Sequence, residues 1–283
     1  MKLASVVIIT RNHGIYLRRC LDLLAQQLYP NIEVVVVDDR SEDHTLEVVE
    51  SSSGLSIKYY KNLQRVGLSA LRNIGVELAQ GDYIFFTDAD CLPSINWVEN
   101  GMRIFLEGKT QAIEGYTICE KSTFGISNHY VENTEGGQYQ TCNIAYSRKV
   151  LDLVGGFDGF FCEAYEDIDL ALRVKEHVHI MFCKDMVVMH QMVTWSLKSL
   201  IRNAKRAKHK VYLIKKHGLQ RGLSGRIVEP GTLVQALFPP LILLYYRFTK
   251  PGELRYLFYF WLRAVLHRFI VWQGSFQYKV FVW

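Results

Sequence analysis

The chain has 283 residues, 49% of them hydrophobic and 13% aromatic, enough to bury a full core and support an extension. Its net charge of +5 conceals a split: residues 1–190 carry 17 Lys/Arg and 26 Asp/Glu, whereas residues 191–283 carry 16 Lys/Arg and only Glu229 and Glu253. Six scattered cysteines without a Cys-x-x-Cys pair exclude a disulfide scaffold and a thiolate zinc site, and fit a reducing, cytosolic setting.

The opening "MKLASVVIITRN" has too short an apolar run for a signal peptide and flows into a strand pattern. "SVVIIT" (5–10) is an unbroken apolar run, as a strand buried on both faces requires. Leu17, Leu21, Leu24 and Leu28 then stand at helical spacing ahead of Pro30. "IEVVVVDD" (32–39) is a second buried strand, and "SEDHTLEVVESS" (41–52) opens on a capping-type serine and runs helical. "IKYYKN" (57–62) is a third strand, "GLSALRNIGVELAQG" (67–81) a glycine-bounded helix and "YIFFTDAD" (83–90) a fourth strand. This alternation predicts an α/β, Rossmann-like, mostly parallel sheet flanked by helices over residues 1–192. Residues 193–283 form a basic, aromatic helical extension.

Ligands of such sheets collect beyond the carboxyl ends of the strands. Thr10, Arg11 and Asn12 end the first strand, Asp38 and Asp39 the second, Asn62 the third, and Asp88 and Asp90 the fourth. Each acidic pair alone also reads as a strand-to-helix turn, but their convergence on one rim favours a site. No Gly-x-Gly-x-x-Gly follows the first strand and no P-loop motif occurs, so a bound nucleotide needs another partner for its diphosphate. A divalent cation, Mn²⁺ or Mg²⁺, on the carboxylates of Asp88-Ala89-Asp90 meets that need. The second Asp-x-Asp, Asp167-Ile168-Asp169, opens the helical stretch "EDIDLALRVKEH", where neighbours two apart do not share a face. Asp167 or Glu166 is therefore expected to act singly, the plainer alternative being stabilisation of a helix N-terminus.

Five blocks in order resemble family 2 glycosyltransferases of the GT-A fold: "SVVIITRN", "VVVVDDRSEDHT", "NLQRVGLSALRNIGVELAQGDYIFFTDADC", "CNIAYSRKVLDLVGGFDGFF" and "EAYEDIDLALRV". The resemblance implies inverting transfer of a sugar from a nucleotide-diphospho-sugar to an acceptor hydroxyl. It implies a nucleoside pocket lined by Thr10, Asn12 and Asp39, with Asp39 on the base edge and Asp38 beside it, and Arg72 near the base or diphosphate. Asp88 and Ala89 would lie against the donor, with Asp88 facing the ribose or the metal's water, and Asp90 would bind the metal. Asp167 matches the catalytic base, and His190, closing "MVVMH", a histidine near the metal or diphosphate. A strand-end histidine bonded to backbone is the alternative for His190. Two departures stand out: Arg40 replaces a usual glycine and either adds a contact or faces solvent, and Asn143 stands where many relatives carry glycine, with consequences for donor-sugar or acceptor shape. The acceptor site is expected within residues 114–142.

The chemistry is consistent with these roles. A carboxylate within reach can take the acceptor's proton, a cation can offset the charge of the departing diphosphate, and no second carboxylate need protonate the leaving group.

In the tail, Leu197, Leu200, Ala204, Ala207, Val211 and Ile214 form one helical stripe of residues 194–218, with Lys198, Arg202, Lys205, Arg206, Lys208 and Lys215 around it. This reads as an interfacial amphipathic helix on an anionic membrane, or as a helix packed on the sheet with a solvated basic face. The uncharged stretch 230–246 is interrupted by Pro239-Pro240, and Arg255, Arg263 and Arg268 punctuate 254–272. Helices lying in the surface are favoured over spanning ones, with a re-entrant hairpin at the two prolines as the alternative. The aromatic density does not resemble a base-stacking surface, so no nucleic acid is expected. The expected location is the cytoplasmic side of a membrane, peripheral or monotopic, with a lipid-linked or membrane-borne glycan as acceptor. Rival readings are a nucleotidyltransferase, which wants a glycine-rich basic segment where this chain has only Gly14, and a non-catalytic nucleotide-sugar-binding scaffold, against which the retained Asp39, Asp88, Asp90 and Asp167 argue.

Overall fold

The computed structural model of the chain describes residues 1–119, 127–129, 131–219, 230–238, 253, 255–280 and 282. The chain separates into two units, Met1–Glu120 with Val131–Gln191, and Lys121–Tyr130 with Met192–Trp283.

The first unit begins as the sequence predicts: β1 (Ala4–Thr10), α1 (Gly14–Leu24), β2 (Ile32–Asp39), α2 (Thr45–Glu50), β3 (Ser56–Asn62), α3 (Leu68–Leu78) and β4 (Tyr83–Asp88). There follow β5 (Cys91–Pro93), α4 (Trp97–Leu106), β6 (Ala112–Cys119), β7 (Asn128–His129, part of the second unit), β8 (Ile144–Ser147), α5 (Arg148–Val154), α6 (Glu166–Lys175) and β9 (Ile180–His190). Eight strands form one sheet in the order β3-β2-β1-β4-β8-β6-β9-β5. β3, β2, β1 and β4 are mutually parallel, β8 runs against both β4 and β6, and β5 runs against β9. Strands β1, β2 and β4 are unbroken apolar runs because both sheet faces are covered. Val6, Ile8, Val34, Val36 and Phe85 enter one core cluster, and Val7, Val35, Val37, Ile84 and Phe86 the other.

Two local expectations differ from the structure. α1 ends at Leu24 and leaves Leu28 exposed. α2 starts at Thr45, not after Ser41, because Asp43 takes over the turn: its carboxylate accepts from the Thr45 and Gly14 N–H groups at 3.1 and 2.9 Å.

Asn143 has a structural part that the sequence reading did not foresee. Its side chain lies within the sheet, where Oδ1 accepts from Trp97 Nε1 at 2.8 Å and Nδ2 donates to the Tyr116 and Met186 carbonyls at 3.0 and 2.9 Å. Gly115 makes room for it, since a Cβ there would lie 2.2 Å from Asn143 Oδ1. The register of β6 against β9 shifts at this point, between Gly115 and Tyr116, and the amide satisfies backbone groups that the ladder leaves over.

The second unit contains the β7–β10 pair (β10, Val193–Thr194) and the helices α7 (Leu197–Lys205), α8 (Ala207–His217), α9 (Pro230–Leu237) and α10 (Arg255–Tyr278). The single helix expected over 194–218 is two, broken at Arg206, whose N–H is shared between the Arg202 and Asn203 carbonyls. Its predicted apolar stripe is covered: Leu200 packs with Tyr256 and Phe260, and Ala207, Val211 and Ile214 pack with Val271. Within the second unit the stripe packs against α10. The Pro239-Pro240 bend lies outside the described residues. Among those described, no helix is long and apolar enough to cross a membrane.

Replacing Asn143 by alanine strands the Trp97 donor and two carbonyls in the core and is expected to destabilise the fold by about 2–4 kcal/mol. Urea unfolding of the purified chain measures this, and the donor KM is expected to stay unchanged.

Candidate active site

The strand ends meet at one rim. Thr10 lies opposite Asp38, Asp39 opposite Asn62, and Ile9 opposite Asp88 in the parallel register. Adjacent residues on a strand point to opposite faces, and this separates the two acids of β2. Asp38 is fully buried, with Oδ1 accepting from the Ser41 N–H at 2.8 Å and Oδ2 from the Tyr59 hydroxyl at 2.6 Å. Its carboxylate is committed to the fold. Asp39 faces the rim, where Arg40 donates through Nε and Nη2 at 3.0 and 3.1 Å and Asn62 Nδ2 at 3.2 Å. Burial would raise Asp39, but these hydrogen bonds and the charges of Arg40 and Arg11 outweigh it and hold the carboxyl below its ordinary range.

Asn12 sits in the left-handed region at φ 54 and braces two loops, its Oδ1 accepting from the Glu42 N–H and its own N–H donating to Ser41 Oγ, both at 2.8 Å. Thr10 is buried, and its Oγ1 has no hydrogen-bond partner among the described residues. A buried hydroxyl left without a partner at a strand end is what a ligand-facing group looks like before its ligand arrives.

Beyond β4 the chain doubles back into β5, which pairs with β9 so that Cys91 lies opposite His190. Ligand atoms of Asp90, Cys91 and His190 all fall within 4.8 Å of one another. His190 Nε2 is 3.6 Å from Asp90 Oδ1, while Nδ1 is 2.8 Å from the Gln191 carbonyl. With the proton on Nδ1, donated to that carbonyl, Nε2 presents its lone pair toward Asp90. Burial pushes the Cys91 thiol up, as does its hydrogen bond with Cys142, so the sulfur faces the cluster as a neutral thiol. Burial also raises Asp88, against the pull of Arg72, and the nearby Asp90 charge adds to the rise. The Asp90 carboxylate and an imidazole nitrogen gathered at a buried rim fit a divalent cation, which would relieve the repulsion between Asp90 and the neighbouring Asp88; Asp88 itself lies outside that group. Ala89, between them, is buried.

The third part of the site comes from α3 and α6. Arg72 is buried, ion-paired through Nη1 to Glu166 and donating through Nη2 to Thr141 Oγ1 at 2.7 Å. The chain enters α6 through Tyr165 at φ 68, a backbone region that a bulky residue rarely adopts. Asp167 occupies the first turn of that helix. Burial and the adjacent Glu166 charge push its carboxyl up to about 7, although Arg72 pulls the other way. Asp169, two residues on, is turned elsewhere into an ion pair with Arg173 at 2.8 Å. The two Asp-x-Asp motifs thus do different things.

Arg72, Glu166, Asp167 and Asp88 form one set of interacting charges, and Asp90 and His190 stand together at the end of β9. Arg72 is held among these acids by Glu166 and Thr141. Sequence reasoning missed Cys91 and Thr141. The cysteine directly follows the acidic motif, but only the β5–β9 pairing turns it toward His190.

A model of glycosyl transferase family 2 matches residues 5–169, more than half of the chain. The glycosyltransferase GlyA of Streptococcus pneumoniae is 31% identical over 160 residues, covering 56% of this chain and 21% of GlyA. The UDP-Glc:alpha-D-GlcNAc-diphosphoundecaprenol beta-1,3-glucosyltransferase WfaP of Escherichia coli is 28% identical over 169 residues, covering 55% of this chain and 62% of WfaP. The alignments thus span less than two-thirds of either relative. Among solved structures, the mannosyltransferase PcManGT from Pyrobaculum calidifontis, in complex with GDP-Man and Mn²⁺, superposes with a TM-score of 0.63 at 17% identity, over 95% of this chain and 87% of that one. Staphylococcus aureus TarS 1–349 with UDP gives 0.60 at 16% identity, over 98% and 92%. These likenesses identify the sheet and its flanking helices as a GT-A fold. Together with the sequence match over the strand ends and the Asp-Ala-Asp motif, they settle the family: the chain belongs to glycosyltransferase family 2.

Proposed function

We propose that the chain is a metal-dependent, inverting glycosyltransferase that moves a sugar from a nucleotide-diphospho-sugar to a hydroxyl of a lipid-linked or membrane-borne glycan. The observation that carries this reading is the pairing of an Asp90–His190 cluster with a separate carboxyl, Asp167, held near neutrality. Thr10, Asn12 and Asp39 line the nucleoside end of the rim, with Asp39 ionised and facing it. Asp38 supports the turn beneath. Asp90 and His190 would hold a divalent cation, with Asp88 and Ala89 against the donor; when bound, that cation supplies Lewis-acid stabilisation of the diphosphate's growing charge.

Asp167 takes the proton of the acceptor hydroxyl as its oxygen attacks the anomeric carbon. The bond to the diphosphate breaks with its electron pair leaving on the diphosphate oxygen, and the configuration inverts. Arg72 and Glu166 act by position: the ion pair fixes α3 against α6 and sets the charge around Asp167. The membrane-borne acceptor is supported by the +14 charge of residues 191–283 and by WfaP, whose own name specifies a diphosphoundecaprenol-linked acceptor. Work at the cytoplasmic face of a membrane follows from that acceptor and from the six free cysteines.

Three outcomes test the reading. Across a panel of isotope-labelled nucleotide-sugars with Mn²⁺, one donor is turned over and Asp90→Ala abolishes that turnover; undiminished turnover in Asp90→Ala would overturn the metal assignment. Mn²⁺ at about 100 times its Kd raises the stability of the native chain by about 2.7 kcal/mol, and Asp90→Ala loses this shift whatever its activity.

The third outcome concerns pH. Asp167 must be ionised to accept a proton, so kcat/KM rises with pH and levels off above about 7. Its ordinary value is 3.8, so between that and about 7 the folded chain binds a proton that the unfolded chain has lost. The group's contribution to stability therefore falls as pH rises through this window. Asp167→Asn is expected to lower kcat by about 10²–10⁴-fold while raising the melting temperature at pH 8. A variant inactive but less stable at pH 8 would refute the buried-carboxyl account.

A further inference from the structure

Helix α10 is covered on one side by α7 and α8, and on its flank Trp261 donates through Nε1 to the Ala236 carbonyl of α9 at 3.1 Å; a further face stays exposed. Tyr256, Phe260, Ala264, Val271 and Gly274 are buried, with Tyr256 and Phe260 against Leu200, Val271 against the α8 cluster and Gly274 against Val211. On the opposite side Phe258, Phe269, Trp272 and Phe276 are 56%, 61%, 43% and 84% exposed. At 100° per residue these four fall within an arc of about 60°, opposite the buried set, and run about 27 Å along the axis. Isolated exposed aromatics are ordinary on a protein surface, but Phe269, Trp272 and Phe276 stand together over about 10 Å, and half-buried Leu262 and Val265 continue the apolar face toward Phe258.

We infer that this outward face of α10 is the membrane-inserting surface of the chain, lying parallel to an anionic bilayer with the four aromatic side chains at headgroup depth. The inference deepens the membrane-borne acceptor reading, on which it rests for its biological setting. Charge decides the occupant. Residues 191–283 carry 16 Lys/Arg against two acids, and Arg255 and Lys279 are exposed cations at the two ends of the stripe. Exposed Lys198, Arg202, Lys205, Lys208, Lys215 and Lys216 on α7 and α8 add to the field of the same unit. A second copy of this chain would bring the same positive charge against it, whereas anionic headgroups complement it.

The arginines within the helix fit lying flat and oppose spanning. Arg268 is buried, and Arg263 donates to Asn203 Oδ1 at 3.2 Å, so both are turned away from the aromatic stripe. A helix anchored in its unit by one side, with exposed aromatics on another and cations at both ends, can combine shallow apolar insertion with attraction to anionic lipid. The membrane-facing stripe that the sequence placed on residues 197–214 thus moves to α10, because α10 covers the first one.

Co-sedimentation of the full chain with extruded vesicles tests this, comparing phosphatidylcholine alone with an equimolar phosphatidylcholine–phosphatidylglycerol mixture. The native chain is expected to bind the anionic vesicles at least 10-fold more tightly, and the preference to weaken with added salt. Phe269→Ser/Phe276→Ser, two exposed positions, is expected to reduce anionic binding at least 10-fold with an unchanged melting temperature. Trp272→Phe is expected to retain binding while losing the quenching that brominated lipid imposes on Trp272. Native-level binding by the double variant, or no binding by the native chain, would overturn the inference. A concentration-dependent dimer that the double variant abolishes would also overturn it, assigning the face to a second copy. Asp90→Ala is expected to bind vesicles normally, so failure of the catalytic reading and failure of this one are distinguishable.

Discussion

The site depends on one electrostatic constraint: Asp88, Glu166 and Asp167 share the influence of a single buried guanidinium, Arg72. One positive charge cannot balance three carboxylates, of which Glu166 is buried and Asp88 and Asp167 are half-buried, and charges left uncompensated away from water are costly. The imbalance appears in the raised positions of Asp88 and Asp167. Two features limit it. Glu166 is paired directly with Arg72, and Asp167 sits in the first turn of α6, where the helix N-terminus favours negative charge. What remains is a rim that gains from a cation and a carboxyl whose affinity for a proton lies near neutrality. Both suit the sugar transfer proposed for the site.

Much of this was legible in the sequence because burial on both sheet faces leaves an unmistakable apolar run. "SVVIIT", "IEVVVVDD" and "YIFFTDAD" become β1, β2 and β4, and the acids that close them reach one rim. Less legible was the division of labour within each acidic pair. Asp38 and Asp39 are chemically alike, but alternation along the strand sends the first inward to Ser41 and Tyr59 and the second outward. The β5–β9 pairing was not legible at all. It joins Cys91 to His190 across 99 positions of sequence, and a three-residue strand has no periodicity to read. Asn143 was misjudged for a related reason: its partners Trp97, Tyr116 and Met186 come from three distant segments.

The tail shows a different limit. Its amphipathic pattern was real, yet a helical apolar stripe states only that something covers it, never what. Residues 197–214 and the buried face of α10 cover each other, with Gly274 allowing close approach to Val211. Two amphipathic segments in one tail can satisfy one another before either meets a membrane. Only the face left over, on the outer side of α10, says where an external partner would go.

Arg40 joins the backbone to the electrostatics of the donor rim. It occupies φ 59, a region where a non-glycine residue costs about 1–2 kcal/mol, at the position where the family resemblance leads one to expect glycine. In that conformation its guanidinium forks onto Asp39, the carboxylate that the proposed reading puts at the nucleoside end. The side chain thus does add a contact, the first of the two alternatives left open by the sequence. Arg40, with Asn62 and Arg11, holds the Asp39 carboxyl below its ordinary range, so in the proposed reading a base-edge N–H would share that charge with a guanidinium already in place. Asp39 is consequently a weaker acceptor than an unpaired carboxylate, and Arg40 brings donor groups to the same rim. A strained residue that both restrains and extends the rim is therefore part of how this chain would recognise its nucleotide.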